Sequence, residues 1–146
     1  MAQNNIQFTS NTSGHPMVVS DGDNNTITQN VISGGALGLQ IFNTGVSNVI
    51  SQNIVRNCGH TGASIGSSVG SSNIAFVSNQ FGECGVAGPG AVIALSPTQG
   101  PNDITLLNNV YQGHANSLTF FIDSLAHLNF VSGNTQTQTA LPNNLP

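Results

Sequence analysis

Few side chains in this 146-residue chain can do acid–base, nucleophilic or metal chemistry. They are Asp21, Asp23, Glu83, Asp103 and Asp123, the single basic residue Arg56, Cys58 and Cys84, and four histidines. Hydrolysis of a polysaccharide needs two carboxyls facing each other across a groove, about 5 to 10 Å apart. Asp21 and Asp23 are two residues apart and can share one side of an extended segment, which makes them candidate catalytic acids with Glu83 as a third. Their segment SDGDNN (20–25) is also what an ordinary turn requires, because Asp, Gly and Asn supply turn geometry. It has a slight likeness to a calcium loop but lacks the glutamate at the twelfth position. Arg56 and Glu83 follow Asn53 and Asn79 by three and four residues, so a repeat would bring them close, as an ion pair or as substrate-binding groups.

The sulfur atoms carry the clearest phase. Cys58, Cys84 and His114 each follow an asparagine (Asn53, Asn79, Asn109) by five residues. If those asparagines stack, the three form a column that His60 could complete as a zinc site, although no CxxC spacing is present. The reading favoured by residue type is simpler: Cys58 and Cys84 are small buried residues where the chain turns. An inter-rung disulfide and thiol catalysis are the remaining alternatives. No metal site and no cofactor is assigned. His15 precedes Pro16 in a turn, and His127 lies in a segment of ambiguous pattern.

Composition excludes several partners. One basic residue and a formal net charge of -4 leave no stripe able to neutralise phosphates, so nucleic acid is excluded. Anionic membranes are excluded on the same ground, and no apolar run is long enough to span a bilayer. Charged residues are 4% of the chain and apolar ones 38%, which describes a folded protein with a neutral amide and hydroxyl surface rather than a disordered one. MAQNNIQF shows no signal peptide, so the chain is either cytoplasmic in its producer or has lost its leader. The glycosylation acceptors at Asn11 and Asn24 are read as chance matches in an asparagine-rich chain.

The elements that must position these groups are short and repeated. IQFTSN (6–11), NTITQN (25–30), NVISQN (48–53), IAFVSN (74–79), ITLLNN (104–109) and NFVSGN (129–134) each place a hydrophobic residue three before an asparagine. Ile32, Val55, Phe81 and Tyr111 follow four of these asparagines by two residues. A second motif lies between them: GLQI (38–41), GASI (62–65), GAVIAL (90–95) and, more loosely, LTFFI (118–122). The asparagines are 19, 23, 26, 30 and 25 residues apart, which suits a repeat with loops of varying length. Strands this short gain ladder hydrogen bonds and a continuous apolar interior only by stacking on equivalents in the next unit.

The architecture that fits is an all-β, right-handed parallel β-helix of about five to six short coils, each of roughly 22 residues and climbing about 4.8 Å. The repeat, as in NTITQNVI and NVISQNIV, resembles the right-handed parallel β-helix superfamily of pectate lyases, copper-site maturation proteins and viral tailspikes. The resemblance covers about residues 4 to 134. It implies that Asn30, Asn53, Asn79 and Asn109 are structural, stacking inward at a tight bend. The residue type agrees, since Asn tolerates left-handed backbone angles and can satisfy turn amides. Pectate lyases use calcium-binding aspartates and a basic proton abstractor, whereas here Arg56 has no acidic cluster beside it and lysine is absent.

A β-sandwich and a jelly roll also have many short strands, but neither explains the asparagine phase. Between 116 and 131, Leu118, Phe121, Ile122, Leu125 and Leu128 have helical spacing, yet Val131 to Asn134 restores the repeat and favours strands. Residues 1–134 are assigned to the β-helix and 135–146 to a polar tail or cap. The repeat begins by Ile6 without room for a cap, which predicts either a fragment or ends covered by other subunits; the resemblance implies a homotrimer at an extracellular or virion surface. Two functions follow. One is a non-catalytic structural or carbohydrate-interacting module of a fibre, tailspike or surface protein. The other is a polysaccharide-degrading hydrolase or lyase, or a piece of one. The scarcity of acids and bases favours the first.

Overall fold

The computed structural model describes residues 4–7, 13–20, 22–42, 46–66, 72–85, 87, 90–95, 102–113, 117–122 and 128–138. They form sixteen strands in three sheets, every pairing is parallel, and no helix occurs among them. Sheet A contains β3 (Thr26–Thr28), β6 (Val49–Ser51), β9 (Ser72–Val77), β12 (Asn102–Leu107) and β15 (Leu128–Ser132). Sheet B stacks β1 (Asn5–Gln7), β4 (Val31–Ser33), β7 (Ile54–Arg56), β10 (Gln80–Cys84), β13 (Val110–Gly113) and β16 (Thr135–Gln138). Sheet C contains β2 (Met17–Ser20), β5 (Leu37–Phe42), β8 (Thr61–Gly66), β11 (Gly90–Leu95) and β14 (Ser117–Ile122). The chain runs A, B, C and then starts the next coil, which is the parallel β-helix expected from the repeat.

Each coil turns its corners with residues in the left-handed region. Between sheets A and B the corner always has two residues, the first being Gln29, Gln52, Ser78, Asn108 or Gly133 at φ of 53° to 65°. The second is the repeated asparagine. The positive φ therefore belongs to the residue before the asparagine, not to the asparagine itself. What the asparagine contributes is its amide. The backbone N–H and Nδ2 of Asn53 both donate to Oδ1 of Asn79, at 3.0 Å each, and its second Nδ2 hydrogen reaches the Ile27 carbonyl at 2.9 Å. Asn30 makes the same bonds to Asn53, Asn79 to Asn109, and Asn109 to Asn134. Asn30, Asn53, Asn79 and Asn109 are fully buried or nearly so, and this ladder satisfies polar groups that would otherwise be costly inside.

Two registers differ from the sequence reading. Asn4, not Asn11, opens the ladder, donating from its backbone N–H and from Nδ2 to Asn30 Oδ1. Ile6 accordingly pairs with Ile32 and follows its corner rather than preceding one; Asn11 lies outside the described residues. A second amide ladder, missed in the sequence, joins the coils between sheets C and A: Asn25 donates twice to Asn48 Oδ1, and Asn48 to the Gly22 carbonyl. The ambiguous segment resolves into strands at Ser117–Ile122 and Leu128–Ser132, and Thr135–Gln138, read as the start of the tail, pair with β13.

Alternation does the rest. Ile27, Ile50, Phe76 and Leu106 line up inside sheet A, and Ile32, Val55, Phe81 and Tyr111 inside sheet B, all buried. Phe81 and Tyr111 stack with ring centroids 5.7 Å apart, the regular separation of successive rungs having brought equivalent side chains together.

Candidate functional site

The outer face of sheet B carries two columns of side chains. One reads Asn5, Val31, Ile54, Gln80, Val110 and Thr135 along successive rungs; the other reads Gln7, Ser33, Arg56, Gly82 and Gln112. The second column is interrupted at Gly82. Arg56 precedes it by one rung and Gln112 follows it by one, so the missing side chain leaves a notch between a guanidinium stem and an amide. The resulting groove has a volume of about 310 Å³ and is bounded by Ile54, Arg56, Gln80, Gly82, Val110 and Gln112, with Phe81 at its floor.

Packing does not demand glycine here. A Cβ at Gly82 would stand 3.7 Å from Gln112 Oε1 and 3.9 Å from Arg56 Cβ, which is ordinary contact, and the backbone angle is not left-handed. Glycine in a strand interior weakens the strand and often marks a place where a ligand approaches. The next residue makes a bulge: Gly82 pairs with Gln112, but Cys84 pairs with Gly113, so Glu83 has no opposite number. Glu83 sits exposed at the corner with φ of 52°, in series with Gly34 and Asn57.

The candidate residues from the sequence scatter around this frame. Arg56 is exposed and walls the groove. Its register partner on the next coil is Gly82; Glu83, the bulged residue, stands outside the groove walls, and no ion pair joins the two. Asp23 caps a corner, its Oδ1 accepting the Val46 N–H at 2.8 Å and its carbonyl accepting from Asn25 Nδ2. Asp23 and Glu83 stand at different corners two coils apart, so they do not face each other across a groove. Asp21, Asp123, His114 and His127 lie outside the described residues.

Cys58 and Cys84 do stack. The Gly85 N–H bonds the Cys58 carbonyl at 2.9 Å, which sets the two cysteines side by side, both fully buried and both free thiols. Each thiol points back at the carbonyl two residues earlier, Arg56 for Cys58 and Gly82 for Cys84. Contact with the Cys84 thiol, then burial, pushes the Cys58 pKa far above the ordinary thiol value. That environment makes inert thiols. Because of the bulge at Glu83, the backbone partner of Cys84 on the next rung is Gly113 rather than His114, and among the described residues no group of three potential metal ligands gathers.

A sequence model described as right handed beta helix region matches residues 2–135. The chain belongs to the right-handed β-helix family. As a right-handed β-helix it has its fold and its hand assigned, and the tailspike likeness adds nothing to that assignment. Comparison with curated proteins and with solved structures returns no significant match. In this β-helix the groove was legible after all: Ser33, Arg56, Gly82 and Gln112 each lie three residues after a repeated asparagine. A glycine at an outward strand position is the signal, and it carries no functional group by which chemistry could be read from the sequence.

Proposed function

We propose that this β-helix is a non-catalytic, carbohydrate-interacting module that lays a saccharide along the outer face of sheet B. The observation that carries the reading is the groove at Gly82. Sugars are recognised by hydrogen bonds to hydroxyls together with apolar contact against the carbon faces of the ring. Here the Gln80 and Gln112 amides and the Arg56 guanidinium supply the first, and the half-buried Ile54 and Val110 the second. The amides sit on strands of a stacked solenoid rather than on loops, which limits the entropy lost when a ligand binds.

The test is a titration of the isotopically labelled protein with neutral and acidic oligosaccharides, followed by NMR. Shifts confined to Gln80, Gly82 and Gln112 are expected. A saturable interaction mapping to sheet A or sheet C, or none with any oligosaccharide, would refute the reading. The self-association expected of the chain is measured on the same samples by solution mass, a homotrimer giving three times the 15.0 kDa of one chain.

A further inference from the structure

We propose that the notch at Gly82 is a carboxylate subsite, in which Arg56 holds the acid group of an acidic sugar; this rests on the saccharide reading above. Four observations lead there. Arg56 is the one Lys or Arg of the chain, and it stands on the outer face of sheet B beside the one outward position of its column that lacks a side chain. Its guanidinium has no ion pair with the acid nearest in register, Glu83, because Arg56 pairs with Gly82 and Glu83 stands one position further on, at the corner. The groove walls contain one cation and no anion. Finally, the vacancy is not imposed by the fold, since a Cβ at Gly82 would meet only ordinary contacts.

The chemistry selects the ligand. A guanidinium presents a planar fork that matches a carboxylate through two parallel N–H donations. The notch leaves room for a flat group between that fork and the Gln112 amide, which can donate to the same carboxylate or to an adjacent ring hydroxyl. A phosphate monoester, a dianion near neutral pH, would meet a single cation on a chain of net charge -4. A monoanionic carboxylate is matched one to one. Uronates and sialates both provide it on a sugar ring, with hydroxyls for Gln80 and a carbon face for Ile54 and Val110.

The experiment compares sialyllactose and a glucuronate-terminated trisaccharide, each beside its methyl ester, by NMR titration of the intact chain. The ester keeps the sugar and removes the charge. Wild type is expected to bind at least one of the acids about 3- to 10-fold more tightly than its ester, the range of one exposed charge-assisted pair. Which acid shows the preference identifies the source of the carboxylate. In Arg56→Gln the preference disappears while the ester still binds. In Gly82→Val, which puts an apolar side chain into the notch, acid and ester are both weakened; an unchanged thermal transition shows that the variant is folded. Equal binding of acid and ester by wild type, with shifts still on sheet B, overturns the carboxylate assignment and leaves the saccharide reading intact. Failure of every saccharide to bind overturns both. Retention of the acid preference in Arg56→Gln also overturns the assignment.

Discussion

Removing one amide from the buried ladder tests how the coil is held. In Asn53→Ala four side-chain hydrogen bonds disappear: those accepted from the Asn30 N–H at 2.9 Å and Nδ2 at 3.0 Å, and those donated to the Ile27 carbonyl at 2.9 Å and to Asn79 Oδ1 at 3.0 Å. Asn79 Oδ1 keeps the bond from the Asn53 backbone, so its loss is partial. The buried Asn30 N–H and Nδ2 both lose the Asn53 Oδ1 acceptor, and the Ile27 carbonyl loses a donor. A buried polar group without its partner costs about 1–3 kcal/mol, so the variant is expected to lose about 3–5 kcal/mol. A domain stable by about 5–15 kcal/mol would keep its fold but lose a large part of its margin. With a urea m-value of about 2 kcal/mol/M, the midpoint drops by about 2 M in unfolding followed by far-ultraviolet circular dichroism. The exposed Asn5 is the control, and Asn5→Ala should move stability by less than about 0.5 kcal/mol. A midpoint shift below about 0.5 M for Asn53→Ala, with the m-value unchanged, would refute the reasoning. Asn53→Asp sharpens the test, because a second oxygen would then face the Ile27 carbonyl and Asn79 Oδ1. Burial and these acceptors raise the carboxyl pKa in the folded state, so the folded protein holds the proton longer. Its stability is highest below the unfolded value of about 3.9 and falls as pH rises through the folded one.

Three further outcomes are expected. Gly38→Ala would bring a Cβ to 2.6 Å from Val55 Cγ1 and 2.7 Å from both Cys58 Sγ and the Gly62 carbonyl, so calorimetry should show a loss of about 1–3 kcal/mol. Burial pushes the Tyr111 phenol upward, outweighing the opposing hydrogen bond with Asn109. Its stabilising share is complete below the unfolded pKa of about 10 and is lost as pH climbs through the folded value, so ultraviolet titration of this single tyrosine should show ionisation delayed until alkaline unfolding. Cys58 and Cys84 should resist a thiol-alkylating reagent in the native protein and react together in denaturant, as counted by mass spectrometry; rapid native labelling would contradict their burial.

The sequence by itself determined the class of fold and the phase of its coils. Hydrophobic residues three before an asparagine and two after it can be buried together only if the chain bends between them, and repetition of that unit dictates stacking. The stacking of Cys58 on Cys84 followed from the same phase, since both follow their asparagines equally. Tertiary structure decided what depends on the neighbouring coil. The amide of Asn53 finds its acceptor on Asn79, 26 residues away, and leaves the left-handed angle to Gln52. That division of labour cannot be read locally, because either corner residue could adopt such an angle. Asn4 joins the ladder only because Asn5 pairs with Val31, a register that the alternative phase at Asn11 concealed. The site shows the same limit: Arg56 pairs with Gly82, which leaves Glu83 one position further on at the corner, and a bulge of one residue sets Gly113, not His114, opposite Cys84. Side chains on a sheet alternate with a period of two, so one unpaired residue reassigns every partner beyond it. The stacking of Arg56, Gly82 and Gln112 on successive rungs, together with the absence of a side chain at Gly82, turned a solitary arginine into one wall of a groove.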